Sequence, residues 1–237
     1  MTEPRVAPYG SWKSPITSDL IVAGSVRLGR VTLDDNDVYW LEGRPTERGR
    51  SVLVRQRADG TREDVTPAPF NVRTRVHEYG GGEYLVDGGE VFFVNFADQR
   101  VYTVRDGQEP QPITPDLPLR YADFVLDRTR ARLVCVREDH VLAGHEAVNT
   151  IVGLNLQGDA AGGRVLVTGN DFYASPRLSP DGARLAWLTW RHPNMPWDGC
   201  ELWVGELDAA GDVRDAKLVA GGLTESVFQP AWSPDGV

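Results

Sequence analysis

Four histidines, His77, His140, His145 and His192, have the widest chemical range of the side chains in this chain of 237 residues. Near neutral pH an imidazole can move a proton, hold a metal or pair with a carboxylate. His77 opens the run His77-Glu-Tyr79, directly ahead of a Gly triplet. His140 and His145 lie five apart, with Glu138, Asp139 and Glu146 beside them. His192 sits in Arg191-His-Pro-Asn-Met-Pro-Trp-Asp-Gly199, which Pro193 and Pro196 stiffen and which carries aromatic surface. The His140/His145 spacing fits no strong metal motif. Asp34-Asp-Asn-Asp37 has calcium-type ligands but lacks the glycine and distal Glu of an EF-hand, so it reads as a turn. No metal and no cofactor is expected. Cys135 and Cys200 stand in apolar surroundings and read as core thiols.

The elements that must hold these groups are strands. Val38-Tyr-Trp-Leu41, Ser51-Val-Leu-Val54, Val91-Phe-Phe-Val94, Val101-Tyr-Thr-Val104, Arg132-Leu-Val-Cys-Val136, Ile151-Val-Gly-Leu154, Leu185-Ala-Trp-Leu188 and Leu202-Trp-Val-Gly205 are short and β-branched or aromatic. No long stretch shows a helical period. The chain is expected to be all-β.

A repeat organises the strands. Ser175-Pro-Arg-Leu-Ser-Pro-Asp-Gly182 returns as Gln229-Pro-Ala-Trp-Ser-Pro-Asp-Gly236. In Pro-Asp-Gly, Pro presets φ, Asp bonds its own backbone and Gly takes positive φ, which makes a tight turn. Turns at Asp35, Asp87, Asp127, Asp181 and Asp235 are separated by 52, 40, 54 and 54 residues. Each of the first four is followed by two apolar strands, a second polar turn such as Arg57-Ala-Asp-Gly60 or Asp208-Ala-Ala-Gly211, and a closing strand. Four antiparallel strands per repeat is the grammar of a β-propeller blade. Apolar residues facing both ways in Leu185-Ala-Trp-Leu188 agree, because a blade is covered on both faces.

This places a lead-in segment at 1–25 and an incomplete propeller at 26–237. The blades are expected near 26–70, 71–115, 116–170 and 171–225, with a fifth starting at 226–237. An isolated piece of propeller is expected to be poorly stable, because its terminal blades lack neighbours. With strands lettered A to D outward, B–C loops and D–A connections share one face. All four histidines fall on that face, which makes it the candidate working face. Trp12 and Trp232 are expected to be core or blade-packing aromatics.

Several runs together resemble one family. They are Arg75-Val-His-Glu-Tyr-Gly-Gly-Gly82, Arg137-Glu-Asp-His140 with Glu146-Ala-Val-Asn149, Ser175 to Gly182, Leu188-Thr-Trp-Arg-His-Pro-Asn-Met-Pro-Trp-Asp-Gly199, and Glu225-Ser-Val-Phe-Gln-Pro-Ala-Trp-Ser-Pro-Asp-Gly236. The match is to the prolyl oligopeptidase family of serine peptidases, nearest its acylaminoacyl-peptidase and dipeptidyl-aminopeptidase-like branch, from about Tyr9 onward. The resemblance implies a propeller that caps a C-terminal α/β-hydrolase domain carrying a Ser-Asp-His triad. It also implies short peptide substrates that must pass the propeller, and hydrolysis through an acyl-enzyme. No G-x-S-x-G elbow occurs in this chain, so no catalytic residue can be placed and the hydrolase domain is expected in cis, outside it.

Within that frame His77, Glu78 and Tyr79 have two readings. They line the cavity, with Glu78 facing a substrate amino group, or they form a strand entry whose glycines allow close packing. Arg191, His192, Asn194 and Trp197 read as domain interface first, then substrate contact or local loop packing. The alternative for the whole chain is a non-enzymatic TolB or WD40-like propeller that binds protein partners. The net charge of −9 argues against nucleic acid and anionic membranes as partners. No apolar run is long enough for a membrane span or a signal peptide, which points to the cytoplasm.

Overall fold

The computed structural model describes residues 6–22, 24–142 and 144–236. Four antiparallel four-stranded sheets follow one another along the chain, each with its strands in sequence order. The first holds β1 (Arg27–Asp34), β2 (Asp37–Arg44), β3 (Arg50–Gln56) and β4 (Arg62–Asp64). The second holds β5 (Tyr84–Asp87), β6 (Glu90–Val94), β7 (Val101–Val104) and β8 (Gln111–Pro112). The third holds β9 (Leu119–Asp127), β10 (Arg132–Asp139), β11 (Val148–Asn155) and β12 (Arg164–Val167). The fourth holds β13 (Phe172–Leu178), β14 (Arg184–Trp190), β15 (Glu201–Leu207) and β16 (Val213–Gly221). The fold is all-β and propeller-like, and the ring is not closed.

Alternation along the central strands explains why sheets stack as blades. On β6, Val91 and Phe93 point into a core with Tyr39, Leu41 and Leu53 of the first sheet. Their neighbours Phe92 and Val94 point the other way, onto Leu119, Leu133 and Leu154 of the third. On β10, Leu133 and Cys135 join that core, while Val134 and Val136 face Tyr173, Leu185 and Trp187 of the fourth. A two-residue side-chain period with both parities apolar gives each middle sheet two buried faces. Cys135 and Cys200 are both free and buried.

Polar hooks tie successive blades at the A–B turns. The Asp34 carboxylate accepts the N–H groups of Gly88 and Gly89 at 3.0 and 2.7 Å. Asp87 pairs with Arg128. Arg130 donates to the Gly182 carbonyl at 3.1 Å, and Arg184 to that of Gly236. Asp34-Asp-Asn-Asp37 is thus a turn whose first carboxylate caps the next blade's turn.

Three elements differ from expectation. Among the described residues no strand forms over 226–236, although the Pro-Asp-Gly turn is there. A strand needs a partner ladder, and none pairs with this segment among the described residues. Trp232 nonetheless packs as a blade aromatic, beneath the Arg184 guanidinium at 4.7 Å and donating to the Arg177 carbonyl at 3.0 Å. Trp12 is 66% exposed and belongs to no core, because the lead-in segment lies off the sheets. That segment also carries one short helix, α1 (Ser18–Val22).

Candidate functional site

The D–A connections and B–C loops converge on one face, and there they enclose a cavity of about 650 Å³. His77, Glu78 and Tyr79 come from the connection between the first two sheets. Glu138 is next to last in β10, the loop after that strand brings His140, His145 and Glu146, and β11 brings Asn149. Thr168 to Asp171 come from the connection between the third and fourth sheets, and Phe172 opens β13. Trp190 ends β14, and His192 and Met195 follow it. All four histidines line this one cavity.

One wall is aromatic. Phe172 and Trp190 stack at 5.3 Å with planes 16° apart. The His77 ring lies 5.1 Å from Trp190 and 5.6 Å from Tyr79, and His192 meets Phe172 edge-on at 4.9 Å. The lining is also acidic, with Glu78, Glu138, Glu146 and Asp171. Aromatic rings and carboxylates lining one cavity suit a ligand that carries both an apolar ring and a positive charge.

The loop at His77 and Glu78 is locally unusual. Both residues are left-handed, at φ 56° and 63°, a conformation that ordinary residues hold only when their surroundings enforce it. Glu138 supplies much of that enforcement: its carboxylate accepts the His77 backbone N–H at 2.6 Å. The His77 Nε2 lies 3.0 Å from the Tyr173 carbonyl, which makes Nε2 the donor and leaves Nδ1 without a hydrogen-bond partner. At the third glycine of the triplet, Asp123 accepts the N–H of Gly82 at 2.5 Å, and it also accepts that of Ser175 at 2.8 Å. A Cβ on Gly82 would sit 2.8 Å from the Asp123 Oδ1 and 2.4 Å from Arg30 Nη1, so only glycine lets this approach form.

Burial pushes the His77 imidazole below the usual histidine pKa, against the opposing pull of Glu138. The unfolded chain therefore binds a proton there more readily than the folded one. Stability from a neutral His77 is complete above about pH 7 and falls as the pH drops below ~6.5. Thermal unfolding between pH 7.5 and 5.5 should show this fall, and His77→Gln should reduce its slope. An equal slope in the variant would assign the fall to other groups.

Of the residues singled out from sequence, His77, Glu78, Tyr79 and His192 line the cavity. Arg191 stands outside it and donates to Asn170 Oδ1 at 2.7 Å, bracing the rim. Asn194 binds the Leu223 carbonyl at 2.8 Å and pins its loop to the chain beyond β16. Trp197 is 65% exposed on that loop and outside the cavity. Glu78 is not free, because Arg120 donates to its Oε1 at 2.6 Å and holds its carboxyl below the usual range. Phe172, Trp190 and Asp171 were not singled out from sequence. Asp171 sits immediately before β13 and Phe172 opens that strand, so the D–A rule that flagged His77 selects Asp171 alone. Among the described residues no three His, Cys, Asp or Glu side chains are grouped to hold a metal.

No protein-family model and no curated protein matches the chain. Solved structures do. A puromycin hydrolase superposes with a TM-score of 0.86 at 38% identity, covering 97% of this chain and 38% of its own. A puromycin-hydrolysing peptidase from Mycobacterium tuberculosis gives 0.85 at 40% identity, over 97% of this chain and 37% of its own. TolB from Acinetobacter baumannii gives 0.54 at 15% identity, over 91% of this chain and 48% of its own, which is a likeness of fold. The chain thus spans little more than a third of the length of the hydrolases it matches. Identity near 40% along almost the whole chain exceeds what a shared propeller requires, and the chain belongs to the prolyl oligopeptidase family, as the propeller portion of such a protein.

Proposed function

We propose that this chain gates and partly lines the active site of a serine peptidase acting on short peptides. The observation that carries the reading is the 38–40% identity with hydrolases of puromycin, along a chain whose working face holds the 650 Å³ cavity. The hydrolase domain in cis supplies the serine, the general base and the oxyanion donors, and the reaction passes through an acyl-enzyme. This chain's residues bind and orient. Phe172 and Trp190 take an apolar ring of the substrate. The carboxylates of the cavity take its amino terminus, as the aminopeptidase-type half of the acylaminoacyl-peptidase and dipeptidyl-aminopeptidase-like branch requires. The cavity's size admits short peptides and excludes folded chains. Two free, buried thiols suit a reducing compartment, and we place the protein in the cytoplasm.

The complete reading frame, expressed and treated with a fluorophosphonate, tests the proposal. Covalent labelling, lost when the serine of its nucleophile elbow is changed to Ala, together with cleavage of di- and tripeptide amides, is the expected result. A complete frame that neither labels nor cleaves overturns it.

A further inference from the structure

Glu138 is a carboxylate only 5% exposed at its side chain, at the floor of the cavity. Its Oε1 accepts the His77 N–H at 2.6 Å, and its Oε2 lies 3.0 Å from His140 Nε2 and 3.7 Å from Arg120 Nη1. The same Arg120 nitrogen donates to Glu78 Oε1 at 2.6 Å. Two carboxylates therefore share one guanidinium. A second arginine, Arg75, lies over the Phe96 ring at 4.5 Å and forms no ion pair with either carboxylate among the described residues, and burial keeps His77 neutral. Arginine charge paired within the cluster is thus one short of its carboxylate charge. That shortfall reaches solvent at Glu78, whose side chain is 79% exposed and whose Oε2 has no hydrogen-bond partner among the described residues.

We infer that Glu138 is a positioning and specificity-determining residue for the amine-binding function of Glu78. It acts in two ways without touching the ligand. It holds the left-handed His77-Glu78 backbone, and by drawing on Arg120 it keeps that cation from neutralising Glu78 completely. An incoming ammonium then completes a set of two carboxylates and two cations, a favourable arrangement in a partly desolvated site. With Glu138 uncharged, Arg120 and Glu78 form a balanced pair and the demand for a ligand cation disappears. This inference rests on the proposed binding of a substrate amino terminus.

The test uses ligands with no scissile bond, 2-phenylethylamine and its neutral counterpart 2-phenylethanol, titrated calorimetrically into the full-length protein. The expected wild-type result is a preference of about tenfold or more for the amine, the scale of one charge-assisted contact. Glu138→Gln keeps an acceptor for the His77 N–H, so the fold persists. In that variant the preference should fall to about threefold or less with the affinity for the alcohol unchanged, and Glu138→Asp should restore most of it. An undiminished preference in Glu138→Gln overturns the role of Glu138, as does an equal loss for both ligands, which would mark a purely structural contribution. A wild-type protein with no preference overturns amine binding itself. Serine labelling is independent of all these outcomes, so a failure here is distinguishable from failure of the peptidase reading.

Discussion

Asp123→Ala is expected to lower the melting temperature more than any other single polar substitution near the cavity. The carboxylate joins three blades: it sits on β9 and accepts N–H groups from Gly82, before β5, and Ser175, on β13. Its own backbone N–H donates to the Gly82 carbonyl at 2.8 Å. Truncation leaves two part-buried N–H groups without acceptors, each costing about 1–3 kcal/mol. Asp123 also has φ 58°, which alanine tolerates less well than aspartate does. A total near 3 kcal/mol corresponds to a fall of roughly 6–12 °C for a chain of this size. Asp123→Asn keeps one good acceptor and should lose about half as much. Circular dichroism melts of the three proteins decide the matter. A loss below about 2 °C in Asp123→Ala would mean that the blades are held by their apolar interfaces alone.

Phe172→Ala is expected to produce the largest loss of ligand binding. Phe172 is the half-buried member of the aromatic wall, stacked on Trp190 and touched edge-on by His77 and His192. A ligand ring that docks there gains area burial and an aromatic contact, together about 2 kcal/mol, so its removal should weaken 2-phenylethylamine binding by ~30-fold. The aliphatic amine n-butylamine forgoes the aromatic contact and should lose about fivefold or less. Phe172→Leu should fall between wild type and Phe172→Ala for the aromatic ligand. Comparable losses for both amines would show that the substitution disturbs the acidic lining and not a ring-binding surface. Trp190 is a poorer choice for this test, because it is 5% exposed and its truncation would also cost core packing.

The sequence carried the blade grammar because that grammar is local. Turns such as those at Asp87-Gly88 and Asp181-Gly182 are set by φ preferences and by a side chain bonding its own backbone. Strands such as β6 and β10 show their two-sided burial as unbroken apolar runs, which needs no knowledge of neighbours. The face that carries the four histidines followed from strand counting alone. That face and the family resemblance together point to seven residues, of which His77, Glu78, Tyr79 and His192 meet in one cavity and Arg191, Asn194 and Trp197 lie outside it.

What tertiary structure decided is who pairs with whom. Arg120 and Glu78 are 42 residues apart, and His77 and Glu138 are 61 apart. No spacing in the sequence joins them, because blade stacking and not chain distance sets those contacts. In the sequence Glu138 stands only as a neighbour of His140 and His145, yet it is a buried carboxylate. Phe172 and Trp190 gave no signal beyond strand propensity, because an aromatic on an inner strand looks the same whether it faces a core or a cavity. Trp12 shows the converse: an aromatic type promises burial, but only a packed neighbour provides it, and the lead-in segment has none among the described residues. The 226–236 segment shows the same dependence in the backbone, since its turn forms locally while its strand requires a partner.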